Sequence, residues 1–284
     1  MAGHLHFDAP SALDYFGTLV AEDAGFPLLE AAVALAQDDD PGLDVQAVLA
    51  RVDELADRLR RRVPADAAPM QRLRLLNHYF FQELGFAGNV NDYYDPRNSL
   101  MPSVLSSRRG IPITLAVLYI ELATQNGLKA QGISFPGHFL VKVSLPRGEA
   151  VIDPFSGQSL SREDLGERLA PFRRTRATPA DDDAPLGLFL QGASGREVLG
   201  RMLRNLKEIH RSRCDWVRME RVVARLVMLL PDVWEERRDH ALVLAELGAH
   251  GQAAQQLALY LQRRPDAGDA DSLRRQLAAW QNVP

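Results

Sequence analysis

Between residues 10 and 85 apolar positions recur at the i, i+3, i+4 and i+7 spacing of an amphipathic helix. "SALDYFGTLVAED" opens on a Ser cap, Ser11, and "FPLLEAAVALAQ" keeps helical spacing until "DDDPG" stops it. "DVQAVLARVDELADRLRRRV" follows with Asp44 as cap and a charged outer face, and "APMQRLRLLNHYFFQELGF" predicts a third such helix. The cluster "RLRRR" reads as a solvated helix end. A polar, aromatic loop, "AGNVNDYYDPRNSLMPSVLSSRRG", then leads to a helix from Pro112 to Asn126 that is apolar nearly all round (Ile113, Leu115, Ala116, Val117, Leu118, Ile120, Leu122 and Ala123). Such a helix is enclosed by its domain.

From Gly127 the pattern changes. "LKAQGISF", "GHFLVKVSL" and "EAVIDPF" are short, β-rich and punctuated by Gly and Pro, which predicts strands of an antiparallel sheet. "SREDLGERLAPF" predicts a short capped helix, and "RRTRATPADDDAPLG", rich in charge, Pro and Ala, an interdomain linker. After Gly187 the chain is helical to its end, and "LLPD" at 229–232 returns as "RRPD" at 263–266. That offset is the ~34-residue tetratricopeptide period, in which each helix pair ends at a proline turn. Pairs of 200–213 with 215–230 and 234–248 with 251–264 fit it, with "DADSLRRQLAAWQ" capping the stack. The fold class is therefore α+β with a C-terminal all-α repeat. The expected domains are 1–175, a linker over 176–190, and helical repeats over 191–284.

Composition narrows the function classes. The 284 residues carry a net charge of −4, so nothing draws the whole chain to nucleic acid or to an anionic membrane. One cysteine, Cys214, excludes an internal disulfide and a cysteine-rich zinc site. No apolar run approaches the ~20 residues of a membrane span, and the N-terminal segment lacks the pattern of a secretory signal. The expectation is a soluble, cytoplasmic protein.

Two residues carry candidate chemistry. A hairpin of 138–143 with 148–153 around Pro146 would set His138 directly across from Asp153, with Cβ atoms ~5 Å apart. An Asp there accepts the imidazole N–H and fixes the tautomer, the arrangement a nucleophile–base–orienter triad requires. Equally, such a pair ties two strands together and does nothing more. A nucleophile would sit at the head of the helix packed on this sheet, where the helix dipole lowers a thiol pKa. Proline occupies that place, as Pro112; it suits the first helical position but supplies no nucleophile. Thr114 points away, Ser106 and Ser107 lie on the preceding segment, and Cys214 falls among the repeats.

The strings "GIPITLAVLYIELATQNGL", "GHFLV" and "VIDPF" resemble the transglutaminase-like core of the papain-type cysteine proteins. In that family a Gly-x-Cys opens the helix, a strand His follows, and an Asp-Pro closes the triad. His138 and Asp153 match, and the cysteine position carries Pro112. With "YYDPRNS", "RRGIP", "PGHFLV", "IDPF" and the helices that follow, the chain resembles the bacterial SirB-type proteins over about residues 10–280. The resemblance implies a papain-like core joined to tetratricopeptide-type repeats, and no settled activity.

The polar loop supplies candidate ligand contacts: Asn91, Tyr94 and Asn98, with Arg108 and Arg109 just before the helix. They cap turns and pair locally, or they line a cleft above His138. His78, His138 and Asp153 lack short ligand spacing, so no metal and no cofactor are expected. The leading expectation is a non-catalytic or regulatory binding protein that takes a protein or peptide partner through its repeats. The alternative is a hydrolase or acyl/amide transferase with His138 as base, Asp153 as orienter, and water or a hydroxyl as nucleophile.

Overall fold

The computed structural model describes residues 11–175 and 185–281; residues 176–184 of the expected linker lie outside them. Two compact units are distinguished among the described residues. One comprises those of Leu28–Ala36 and Leu43–Met202, the other those up to Pro27, of Gln37–Gly42 and from Leu203 onward.

In the first unit, helix α2 (Leu28–Ala34) continues as a 3-10 turn, α3 (Val45–Arg60) starts on Asp44, whose side chain accepts from Ala47 N at 3.0 Å, and α4 (Pro69–Asn77) runs into a π-helical turn over His78–Glu83. Helix α6 (Pro112–Gln125) is buried at every position from Pro112 to Tyr119 and packs against α2, α3, α4 and the sheet, as its apolar circumference requires. Each large aliphatic side chain it buries contributes about 1.5–3 kcal/mol.

Part of the segment expected as loop is helical: α5 spans Met101–Ser107. Pro102 opens it, and Met101, Val104 and Leu105 are buried at i, i+3 and i+4. It ends at Arg108 in the left-handed conformation, φ 61°. On either side of this helix, β1 (Ala87–Gly88) and β2 (Arg109–Gly110) form a short parallel pair.

The sheet is an antiparallel meander of β3 (Lys129–Ile133), β4 (Leu140–Leu145), β5 (Gly148–Ile152) and β6 (Ser159–Leu160). Its register differs from the expected hairpin. Leu145 pairs with Gly148 and Val141 with Ile152, two residues out from a pairing of His138 with Asp153. The turn is the tight Pro146–Arg147 pair, closed by Gly148 at φ 127°, a conformation glycine adopts without strain. His138 precedes β4, in a turn closed by its N–H donating to Phe135 O at 3.0 Å. His138 and Asp153 both lie outside the paired residues of β4 and β5, and their side chains meet beyond the end of the ladder. Helix α7 (Arg162–Thr175) follows, with Ser161 and Asp164 exchanging cap hydrogen bonds.

The second unit begins with α1 (Ala12–Leu19), fixed by a capping box between Ser11 and Asp14. Helix α8 (Gly195–Ser212) contains the division between the units at Met202 and Leu203. Beyond it run α9 (Trp216–Leu229), α10 (Trp234–Glu246), α11 (His250–Arg263) and α12 (Ala270–Gln281). Helices α9 and α11 begin and end at the offset of the tetratricopeptide period, and their C-terminal residues repeat one backbone conformation: φ −125°, ψ 64° at Leu230 and φ −125°, ψ 61° at Arg264. Charge is buried here in pairs. Lys207 Nζ donates to Glu236 and Asp239, each at 2.6 Å. Arg225, 1% exposed, forks onto Asp38 at 2.9 and 2.6 Å and lies over the Phe16 ring.

Candidate functional site

His138 stands in the "SFPGH" turn, where Gly137 takes φ 69° and so lets the chain double back into β4. The turn is clamped by Arg201 of α8, whose guanidinium donates to Ser134 Oγ at 2.7 Å and to His138 O at 2.9 Å and lies over Phe139. Burial lowers the pKa of Arg201 from its ordinary value, with the Tyr93 hydroxyl acting in the opposite direction.

Asp153 leaves the end of β5 into a turn built by Pro154. Its Oδ1 accepts from Phe155 N at 2.9 Å, the side-chain-to-backbone bond expected of Asp at a turn. The same oxygen accepts from His138 Nε2 at 2.9 Å, and Oδ2 accepts from Arg168 Nη1 of α7 at 3.0 Å. Burial alone would raise the Asp153 pKa. The His138 hydrogen bond and charge, the Phe155 N–H and Arg168 together outweigh it and hold the carboxyl well below the usual carboxylate range. The carboxylate side chain is 4% exposed and the imidazole 24%, so one end of the pair is sealed and the other meets solvent.

The structure thus brings His138 and Asp153 together. Arg168 alters what the pair can do. A carboxylate already paired with a guanidinium is shared between two donors, and the arrangement holds the imidazole ring in place. Nothing in the strand pattern signals Arg168; its position in α7, facing the sheet, is set by the tertiary fold.

Aromatic rings connect His138 to the polar loop. Phe155 stands edge-on to the imidazole at 6.4 Å, Tyr93 is 6.0 Å from Phe155, and Tyr94 is 5.3 Å from Tyr93. Phe155 fits because Gly88 has no side chain: a Cβ there would fall 2.2 Å from the ring, and Gly88 N donates to Phe155 O at 2.8 Å. Tyr94 and Asn91 are exposed at the outer end of this loop.

The remaining expected contacts are dispersed. Asn98 is buried and serves the loop itself: its amide donates to Asp92 O at 2.6 Å, and its Oδ1 accepts from Asn89 at 3.0 Å. Asn98 and Arg109 line a cavity of about 680 Å³ with Ser106 and Ser107, and neither His138, Asp153 nor Pro112 is part of that lining. Arg109 Nη1 donates to Gly85 O at 2.7 Å. Arg108 turns instead over the Phe86 ring, 4.6 Å from its centroid.

Pro112 is the first residue of α6 and is buried, with no thiol or hydroxyl in its place. Thr114 is fully buried and its hydroxyl has no partner among the described residues. Cys214 is exposed, beyond the end of α8. Among the described residues no group of three or more His, Cys, Asp or Glu is placed to hold a metal ion, and no helix is long and apolar enough to cross a membrane.

Comparison with known proteins agrees with this architecture. Residues 46–204 match the model of the transglutaminase-like superfamily, and residues 206–278 match a tetratricopeptide-repeat model. A UPF0162 protein of Xylella fastidiosa (strain Temecula1) is 37% identical over 262 residues, 92% of each chain. A UPF0162 protein of Pseudomonas aeruginosa is 31% identical over 183 residues, 64% of each chain. The mouse F-box only protein 21 is 38% identical over 85 residues, 30% of this chain and 14% of its own. No solved structure matches. With one model spanning more than half the chain and a relative similar along nearly all of it, the chain belongs to the transglutaminase-like superfamily, as a UPF0162 protein with C-terminal tetratricopeptide repeats.

Proposed function

We propose that the protein is a non-catalytic binding protein, in which a transglutaminase-like core that has lost its nucleophile presents a ligand surface and the tetratricopeptide helices engage a protein or peptide partner. The observation that carries this reading is Pro112, buried at the head of α6 where a triad would place its nucleophile, while the His138–Asp153 pair is retained at 2.9 Å. Arg168 supports it further, because a carboxylate neutralised by a guanidinium is suited to anchoring a side chain. Asn91 and Tyr94 at the mouth of the loop, with Asn98 and Arg109 on the neighbouring cavity, are the proposed ligand contacts. Within the superfamily, "YYDPRNS" and "RRGIP" support placing the chain with the SirB-type bacterial proteins.

The intact His–Asp pair favours a second reading, hydrolysis or acyl/amide transfer with water or a hydroxyl as nucleophile. One assay separates the two. Ammonia release from glutamine-bearing peptides is followed with and without an added amine, for the wild type and for His138→Ala. The binding reading expects both at background. Turnover by the wild type that His138→Ala abolishes would overturn it.

A further inference from the structure

Helix α5 divides its side chains between two surroundings. Met101, Val104 and Leu105 are buried, while Pro102, Ser103, Ser106 and Ser107, on the other side of the helix, line the cavity of about 680 Å³. That volume falls within the range of small-molecule sites, about 300–1,000 Å³. Ser106 Oγ donates back to Pro102 O at 3.0 Å, which leaves its lone pairs open to an incoming N–H. The Ser103 hydroxyl enters no hydrogen bond among the described residues.

Two arginines line the same cavity and differ in one respect. Arg97 sets the Nε–Nη2 edge of its guanidinium on Asp95, with Nε at 3.1 and 2.8 Å from the two carboxylate oxygens and Nη2 at 2.6 Å from Oδ2. Arg109 is held by its remaining nitrogen: Nη1 donates to Gly85 O at 2.7 Å and to Arg108 O at 3.0 Å. Its Nε and Nη2 have no acceptor among the described residues, and the residue is exposed. A freely solvated arginine needs no partner. Arg109 is instead fixed at the cavity wall by one nitrogen, so the edge that grips a carboxylate in Arg97 stands ready for another.

Charge selects the kind of anion. Asp95 offsets Arg97, which leaves Arg109 as the uncompensated cation of the lining. A singly charged group balances it, whereas a phosphate would bring a second negative charge into a cavity that already holds the Asp95 carboxylate. We propose that this cavity binds a carboxylate-bearing ligand of short-peptide size, with its carboxylate on the Nε–Nη2 edge of Arg109 and its amide groups on the hydroxyls of Ser103 and Ser106. The proposal rests on the reading of the cavity as a ligand site and deepens it; it does not depend on the His138–Asp153 pair.

The test follows the full ¹⁵N-labelled chain by NMR, reading the Arg109 Nε–H resonance and the backbone amides of Ser103 and Ser107. The probes are N-acetyl-trialanine with a free C-terminus, the same peptide as its C-terminal amide, sodium succinate and sodium phosphate, all at equal ionic strength. Both carboxylic acids are expected to shift these resonances saturably, and the peptide amide is not. Tighter binding of the peptide acid than of succinate identifies a chain end as the ligand; the reverse order identifies a small organic acid. Arg109→Gln is expected to abolish binding. Arg109→Lys keeps the charge without the fork and is expected to weaken binding about tenfold, the loss of one hydrogen bond to a charged group. Ser103→Ala removes a hydroxyl with no partner to lose, so the Tm is expected to hold while the peptide acid binds about three- to tenfold more weakly. A response to the amide equal to that of the acid, tighter binding of phosphate, or binding that survives in Arg109→Gln would overturn the carboxylate assignment. Silence from every probe would remove the cavity from the functional reading as well. Neither failure bears on the loss of catalysis, which the ammonia-release assay tests separately.

Discussion

Replacing Asp153 with Asn keeps the shape of the side chain and removes its charge, which makes it a direct probe of what the His138–Asp153 pair does. The carboxylate accepts from Phe155 N and His138 Nε2 at 2.9 Å each and from Arg168 Nη1 at 3.0 Å. An asparagine retains one oxygen for the Phe155 N–H and turns an amide NH₂ toward a group that also donates. The Arg168 bond to Oδ2 is therefore lost, a charge-assisted bond contributing about 1.5–3 kcal/mol, while His138, which shares Oδ1 with the Phe155 N–H, keeps a bond to a neutral oxygen. His138 and Arg168 side chains are 24% and 35% exposed and can turn back to water, so the lower part of that range applies. The expected loss is about 2 kcal/mol, or a fall in Tm of about 4–8 °C for a unit of this size. The pH dependence carries a definite sign. Because the folded-state carboxyl titrates below its unfolded value of about 3.9, its contribution is fully present above that pH and is lost as the pH falls through the depressed folded value. Urea unfolding of wild type and Asp153→Asn is therefore expected to show a gap that is constant near neutrality and narrows below about pH 4. A gap under about 0.5 kcal/mol at pH 7, or one that does not narrow in acid, would refute the assignment of the pair as an ionic anchor.

Two further substitutions test the packing around the site and the repeats. Asp38→Ala strands Arg225, 1% exposed, without its carboxylate and is expected to cost about 3–5 kcal/mol, while Asp38→Ala with Arg225→Met recovers much of that loss; guanidinium unfolding of the two variants measures the difference. Gly88→Ala would place a Cβ 2.2 Å from the Phe155 ring, so it is expected to cost about 1–3 kcal/mol and to move the ring that flanks His138; equal stability to wild type by the same measurement would show that the ring has room to give.

Much of this organisation is legible in the chain itself. The enclosed helix from Pro112 announces itself by being apolar on every side, and the paired Pro-Asp turns at Pro231 and Pro265 mark the period that α9 and α11 follow. The partnership of His138 with Asp153 can also be read, although by a register two residues out. That error comes from centring the hairpin on Pro146, when Gly148 closes a tighter turn and the Pro136–Gly137 turn removes His138 from the strand. Helix α5 escapes because its seven residues are short and its first position has no side-chain cap. Its signals are Pro102 and the spacing of Met101, Val104 and Leu105. Arg168 and Arg201 are invisible to any local pattern, since each reaches its partner through the packing of a helix on the sheet and the turn before it. The separation of Arg108 from Arg109 is legible only in the structure, where adjacent residues at the end of α5 and the start of β2 turn to different surroundings.

The central claim is that Pro112 occupies the nucleophile position of a core whose His and Asp remain in place. Pro112→Cys tests it most directly. The fold is expected to survive, because the first helical position has no hydrogen bond to lose and forfeiting the preset φ costs about 0.4–1 kcal/mol. If position 112 faces His138, as the account requires, a thiol there, at a helix N-terminus, is stabilised as thiolate and is expected to titrate below the ordinary value of about 8.5. The measurement is the rate of iodoacetamide alkylation of Pro112→Cys across pH, with Cys214 in the wild type as the internal standard and His138→Ala as the second background. The account predicts that the introduced thiol reacts faster than Cys214 at neutral pH and slows when His138 is removed. A folded variant whose new thiol is inert, or reacts no differently without His138, would contradict it and leave the His138–Asp153 pair as a tie between elements of the sheet.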